Sequence, residues 1–223
     1  MTDAAIAVLG GTGPQGKGLG YRFAKAGRRV IIGSRDAAKA SAAAGELDET
    51  LGGDGLVTGM ANAEAAAQAG LVVVAVPWDG HNELVESLRG ELSGKIVVSC
   101  VNPLGFDKAG PYGLDMGNSS AAEQLQSIVP AARVVAAFHH VSAANLIGPA
   151  EKLDHEDILV AGDDKEAAAQ VRALAATVTG SPGVDAGPLR LARQLEPLTA
   201  VLISINKRYK TRSGVSISGL PQD

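Results

Sequence analysis

At 223 residues the chain has room for one large domain and a small appendage. Hydrophobic residues make up 46% and charged residues 20%, a balance that supports a buried core and excludes general disorder. The net charge of −4, with no lysine- or arginine-rich run, argues against nucleic acid as a partner, because binding a phosphate backbone needs a basic face.

The lone cysteine, Cys100, excludes an internal disulfide framework and a cysteine-based metal cluster, and it reads as a small buried hydrophobe. The N-terminus "MTDAAIAVLGG" lacks the basic start and cleavage site of a signal peptide. No stretch approaches the ~20 apolar residues of a membrane span. A soluble, cytoplasmic protein is expected.

Taken in order, apolar runs alternate with alanine-, leucine-, glutamate- and lysine-rich segments. "AIAVLG", "RRVIIGSR", "GLVVVAVP" and "GKIVVSCVN" read as buried strands, with a weaker one at "GLVTGM". Between them "QGKGLGYRFAKAG", "DAAKASAAAGELDETLG", "NAEAAAQAG" and "GHNELVESLRGEL" read as helices. Continuous Val/Ile runs suit strands covered on both faces, and strand–helix alternation implies right-handed crossovers. The expected fold is α/β, a doubly wound, mostly parallel Rossmann sheet with a small C-terminal helical domain.

After Val101 the rhythm breaks. "NPLGFDKAGPYGLDMGNSS" is rich in glycine and proline and reads as a loop. Ser119 or Ser120 then caps a helix ending near Ile128, with Glu123 placed for a capping box. "RVVAAF", "DILVAG" and "SPGVDAG" read as further strands, and "PLRLARQLEPLTAVLISINKRYK" as a C-terminal helix with a kink or break at Pro197. The division expected is residues 1–183 for a nucleotide-binding domain and 184–223 for the small domain.

Gly11-Thr12-Gly13-Pro14-Gln15-Gly16 fits GxGxxG, with Gly10 before it. The pattern alone is weak in so glycine-rich a chain, but here a strand precedes it, a helix follows, and a second strand ends about twenty residues on. The first glycine permits the turn, the second lets backbone approach a pyrophosphate, and the third allows close packing, while amides at the helix start face the phosphate charge. Where NAD-binding chains often carry an acid at the end of the second strand, this one has Ser34 and Arg35. A guanidinium and a hydroxyl suit a 2′-phosphate, and Lys39 follows one helical turn on. Asp36 reads as a helix-start residue. NADP is therefore the cofactor expected.

Val76, Pro77 and Trp78 close the fourth strand and Asn102 the fifth, all at the carboxyl edge where such sheets bind ligands. Trp78, the only tryptophan, suits either a ring-binding wall or a purely structural place.

Several segments together resemble the NADPH-dependent coenzyme F-420 reductases: "VLGGTGPQGKGLGYRFAKAG", "VIIGSRDAAKA", "VAVPWDG", "FHHVSAANL", "GDDKEA" and "DAGPL". The glycine loop and Ser-Arg pair are shared with other NADP proteins; their combination with "VPW", "HHVSAAN" and "DAGPL" is far more specific. The resemblance implies a deazaflavin held between the Rossmann domain and the small domain, and a homodimer, with "LTAVLISI" either interface or core. For NADP it points to Thr12, Gly13, Pro14, Gln15, Ser34, Arg35, Lys39, Val76 and Asn102, with Ala143 and Val215 toward the nicotinamide. It places His139 near the deazaflavin, against the alternative that His139 and His140 are simply structural; a metal held by the pair is not expected.

The implied reaction is direct hydride transfer between the two cofactors. It requires no catalytic acid or base, and no triad or paired-carboxylate arrangement is evident. Two rival readings stay open. An NADP-dependent reductase of small carbonyl or imine compounds would use Lys207 with Asn206, although Lys207 also suits a helix-dipole role. A non-catalytic NADP-sensing module is the other.

Overall fold

β1 (Ile6–Leu9) threads the middle of the structure, and its residues divide strictly between two apolar layers. Ile6 and Val8 join one buried cluster, while Ala7 and Leu9 join the other, so the sheet is covered on both faces. The computed structural model describes residues 4–148 and 150–220.

From β1 the chain runs through α1 (Pro14–Lys25), β2 (Val30–Ser34), α2 (Ala37–Leu51), β3 (Val57–Ala61), α3 (Asn62–Gln68) and β4 (Leu71–Val74). It continues through α4 (His81–Ser87), α5 (Arg89–Leu92), β5 (Ile96–Ser99), β6 (Leu104–Asp107), β7 (Gly110–Gly113), α6 (Ala121–Ile128) and β8 (Arg133–Ala136). Last come α7 (Ala143–Leu146), β9 (Leu159–Gly162), α8 (Lys165–Thr179), β10 (Val184–Gly187), a 3₁₀ turn at Leu189–Leu191 and α9 (Ala192–Tyr209).

Eight strands form one sheet in the order β10-β9-β8-β5-β4-β1-β2-β3, parallel throughout except where β8 meets β9. Register aligns Leu9 with Gly33 and Val74, Val74 with Ser99, and Ser99 with Ala136. The carboxyl ends of five strands therefore share one level. The chain leaves β1 toward β3 on one side and returns to β4 on the other, so the crevice opens between β1 and β4.

Helix ends follow local chemistry. Asp36 accepts from the amides of Ala38 and Lys39, which fixes the start of α2, and Gly52 ends that helix with φ of 109°. At α6, Ser120 Oγ accepts the Glu123 amide as a capping box requires, but the Glu123 carboxylate takes two bonds from Arg193 instead of turning back to the backbone.

One expectation is corrected and two others gain structural detail. Residues 104–113, read as loop, form an antiparallel hairpin: Asp107 Oδ1 accepts the amides of Ala109 and Gly110, closing the turn, and β7 packs on α9. Pro197 does not break the C-terminal helix, because α9 runs through it and loses only the bond an N–H there would give to Arg193; the ring fills the space left by Gly113. The boundary at 183/184 falls between two paired strands, since β10 hydrogen-bonds to β9 as an edge of the main sheet.

Candidate functional site

The glycine loop fills the step from β1 to α1. Gly10 has φ of +70°, and a Cβ there would lie 2.6 Å from the Val76 side chain, so the left-handed turn falls on this glycine and not on Gly11. At Gly16 a Cβ would stand 2.6 Å from Gly11 Cα, so the third glycine lets the helix start sit directly on the loop. Gly13 differs: its nearest neighbour would be the Gly10 carbonyl at 3.6 Å. Protein packing does not demand glycine there. No side chain caps α1, and Pro14 occupies its first turn, so the amides of the next residues face outward.

One cleft of about 900 Å³ runs along this edge. At one end Ser34 and Arg35 flank it, Ser34 buried and accepting the Asp36 amide, Arg35 exposed and without a hydrogen-bond or ion-pair partner among the described residues. Thr12, Gly13, Pro14 and Gln15 line its middle with Val76, Pro77 and Asn102 from the ends of β4 and β5.

The far end is built on the turn after β8. Phe138 holds a positive φ of 65°, unusual for an aromatic residue, and three elements tie down the backbone there. Gln15 of α1 donates to Phe138 O at 3.1 Å, while Asn102 and Thr199 of α9 both donate to His139 O at 3.3 and 3.0 Å. His140 Nε2 lies 2.8 Å from Leu195 O, which fixes the proton on that nitrogen because a carbonyl only accepts. His139 is 4% exposed, and neither of its ring nitrogens has a partner among the described residues. Burial, reinforced by the neighbouring His140, pushes the His139 pKa down to about 3. The imidazole is therefore neutral at ordinary pH. Asn102 Oδ1 is likewise sealed and unpartnered beside the cleft.

Ala143, at the start of α7, also lines the cleft. Its segment is gripped from behind by Arg22 of α1, 1% exposed, which donates to the carbonyls of Asn145, Leu146, Ala150 and Glu151. In front, residues 211–217 cross back over it: Arg212 donates to Ala144 O, and Asp157 bonds both Val215 O and the Ile217 amide.

Three expected residues lie off the cleft wall. Val215 is committed to Asp157, and Ser213, held by Asn206 Oδ1, lines the cleft in its place. Trp78 packs on the apolar layer and stacks on buried His81 at 5.4 Å. Lys39 is exposed on the first turn of α2. Lys207 is exposed in the last turn of α9 and also lies outside the cleft, although Asn206 borders it.

Sequence reasoning missed Asn62, Thr199 and Ser213. Asn62 carried a signal, as the first polar side chain beyond a parallel strand; the other two reach the cleft only through the packing of the C-terminal segment. Cys100 borders the cleft but is buried, which pushes its thiol up to about 12. Among the described residues no group of acidic, histidine and cysteine side chains forms a metal site, and no helix is long and apolar enough to cross a membrane.

Residues 5–103 match the family described as NADP oxidoreductase, coenzyme F-420-dependent. The F-420-dependent NADP reductase of Methanothermobacter thermautotrophicus is 39% identical over 97% of this chain and 96% of its own. That of Methanocaldococcus jannaschii is 38% identical over 96% and 98%. A crystal structure from Arthrobacter sp. FB24, provisionally assigned as an F-420-dependent NADP-reductase, superposes with a TM-score of 0.82 at 30% identity, covering 97% of this chain and all of the other.

Proposed function

The chain belongs to the family of coenzyme F-420-dependent NADP oxidoreductases, and from that premise we propose that it passes a hydride directly and reversibly between NADP and the deazaflavin within the cleft. The observation that carries this reading is the continuity of one cleft from the uncapped glycine loop and Arg35 to the buried turn at His139. The residues fit such ligands. Gly13 leaves the loop open to close approach, and Asn102 Oδ1 is an acceptor still waiting for a donor.

Once bound, the pair would supply the redox chemistry, hydride donor and acceptor both lying on the cofactor rings and the accompanying proton being exchanged with solvent. The protein binds and aligns. Amides at the start of α1, with Thr12, Gly13, Pro14 and Gln15, hold the pyrophosphate. Ser34 and Arg35 take the 2′-phosphate, with Lys39 adding charge from one turn along. Val76, Pro77 and Asn102 seat the nicotinamide half against Ala143, and His139 contacts the deazaflavin. No side chain serves as an indispensable acid or base. The C-terminal segment, together with the β6–β7 hairpin on α9, closes the deazaflavin side.

The protein acts in the cytoplasm as a homodimer. Exposed Phe106 and Tyr112 on the hairpin and Val201 and Tyr209 on α9 offer the apolar surface for a second copy.

Adding NADPH and purified protein to the oxidised deazaflavin should bleach its visible absorbance, with deuteride from one face of the nicotinamide recovered in the deazaflavin. Protein that binds NADPH yet gives no bleaching from mildly acidic to alkaline pH would refute the assignment.

A further inference from the structure

Asn62 stands first in α3, immediately after β3, and borders the cleft beside Ser34 and Arg35. It is 6% exposed, and its Oδ1 is sealed from solvent without a hydrogen-bond partner among the described residues. The space it occupies exists because residue 33 is glycine: a Cβ there would fall 2.8 Å from Asn62 Oδ1. Burying an amide oxygen unbonded is costly, so an unpartnered carboxamide on a cleft wall calls for a ligand group to complete it.

The neighbours narrow what that group is. Asp36, the nearby carboxylate that a ribose would otherwise use, is turned onto the start of α2, where its Oδ1 takes the amides of Ala38 and Lys39. Ser34 and Arg35 suit a phosphate. In a 2′-phosphorylated adenosine the 3′-hydroxyl is the one free hydroxyl on the sugar. We propose that the Asn62 carboxamide hydrogen-bonds this 3′-hydroxyl and so reads the sugar common to NADP and NAD. The inference rests on the cleft holding NADP, and it assigns sugar recognition to the start of α3 and phosphate recognition to the end of β2.

Fluorescence titration of NADPH and NADH tests it without reference to turnover. Asn62→Ala should weaken both nucleotides by the same factor, about tenfold for one lost hydrogen bond. Arg35→Ala should weaken NADPH alone. Asn62→Asp, which keeps an acceptor but adds charge beside the 2′-phosphate, should weaken NADPH more than NADH. A 3′-deoxyadenosine analogue of NADH should lose the same factor on the wild-type protein and lose nothing further on Asn62→Ala. That last arm reads the contact even where a variant folds poorly, because the wild-type measurement stands alone. Unchanged binding of both nucleotides to Asn62→Ala, a loss confined to NADPH, or full affinity of the analogue for the wild type overturns the proposal. A wild-type protein that binds neither nucleotide overturns the NADP reading itself.

Discussion

His139 concentrates the chemistry of single residues in this site. Its place after β8 was legible in "FHHVSAAN", but its state was not, because both unpartnered nitrogens and the pKa near 3 come from burial by segments remote in sequence. An imidazole so low stays neutral through the working range and is not a standing charged acid there. His139→Ala should therefore leave measurable single-turnover hydride transfer, weaken deazaflavin binding, and keep the shape of the rate–pH profile between pH 5 and 8. Loss of transfer in a variant that still binds both cofactors would contradict this. The stability consequence has a definite sign. Unfolded histidine takes up its proton near pH 6.5, the folded site only near 3, so acidification through that window favours unfolding. Melting temperature should accordingly fall more steeply from pH 6.5 to 4.5 in the wild type than in His139→Ala.

Among the elements, the glycine loop and α1 were the most readable. The GxGxxG spacing located the turn, although the left-handed residue proved to be Gly10, because the turn must clear Val76 from the neighbouring β4 loop. The separate roles of the glycines are open to test. Gly13 has an ordinary φ of −77° and room for a methyl group, so Gly13→Ala should fold as the wild type and lose NADPH affinity. Gly16→Ala drives its methyl into backbone at 2.6 and 2.9 Å and should cost about 1–3 kcal/mol of stability, the range of overpacking. Thermal melts and nucleotide titrations on the pair separate the two effects. The hairpin was unreadable for a related reason. Nothing in "LGFDKAGPYG" alternates strongly, and the hairpin packs on α9, which arrives about eighty residues later along the chain.

At the scale of the whole molecule, strand order and the crevice followed from the alternation of Val-rich runs and helices, but the domain boundary did not. "SPGVDAG" gives no sign that β10 completes the main sheet, since an edge strand of four residues carries little pattern. The C-terminal segment is joined to the rest by Glu196. Its carboxylate, 1% exposed, accepts the amides of Ala121 and Ala122 at the start of α6. Desolvation raises its pKa to about 7, outweighing those two amide bonds, and the nearby Glu123 charge adds to the rise. The folded protein thus holds a proton that the unfolded chain releases near pH 4.5, and the stability this contributes is lost as pH climbs through 7. The melting temperature of the wild type relative to Glu196→Gln should decline between pH 4.5 and 7 and level off above. A difference independent of pH would show that Glu196 stays ionised throughout.

Arg22 has a reach beyond the carbonyls it grips. Those partners are dipoles, not acids, so no described carboxylate neutralises the guanidinium, and a whole positive charge stays locked inside the protein. It sits eight residues beyond Pro14 on α1, roughly 12 Å behind the loop at 1.5 Å per residue. At an effective dielectric constant near 20, a unit charge at that range contributes about 1 kcal/mol of attraction for each negative charge at the helix start. The interior thus adds a standing electric field to the local amides, one that would favour the proposed pyrophosphate at a loop with no lysine or arginine of its own between Gly10 and Gly16.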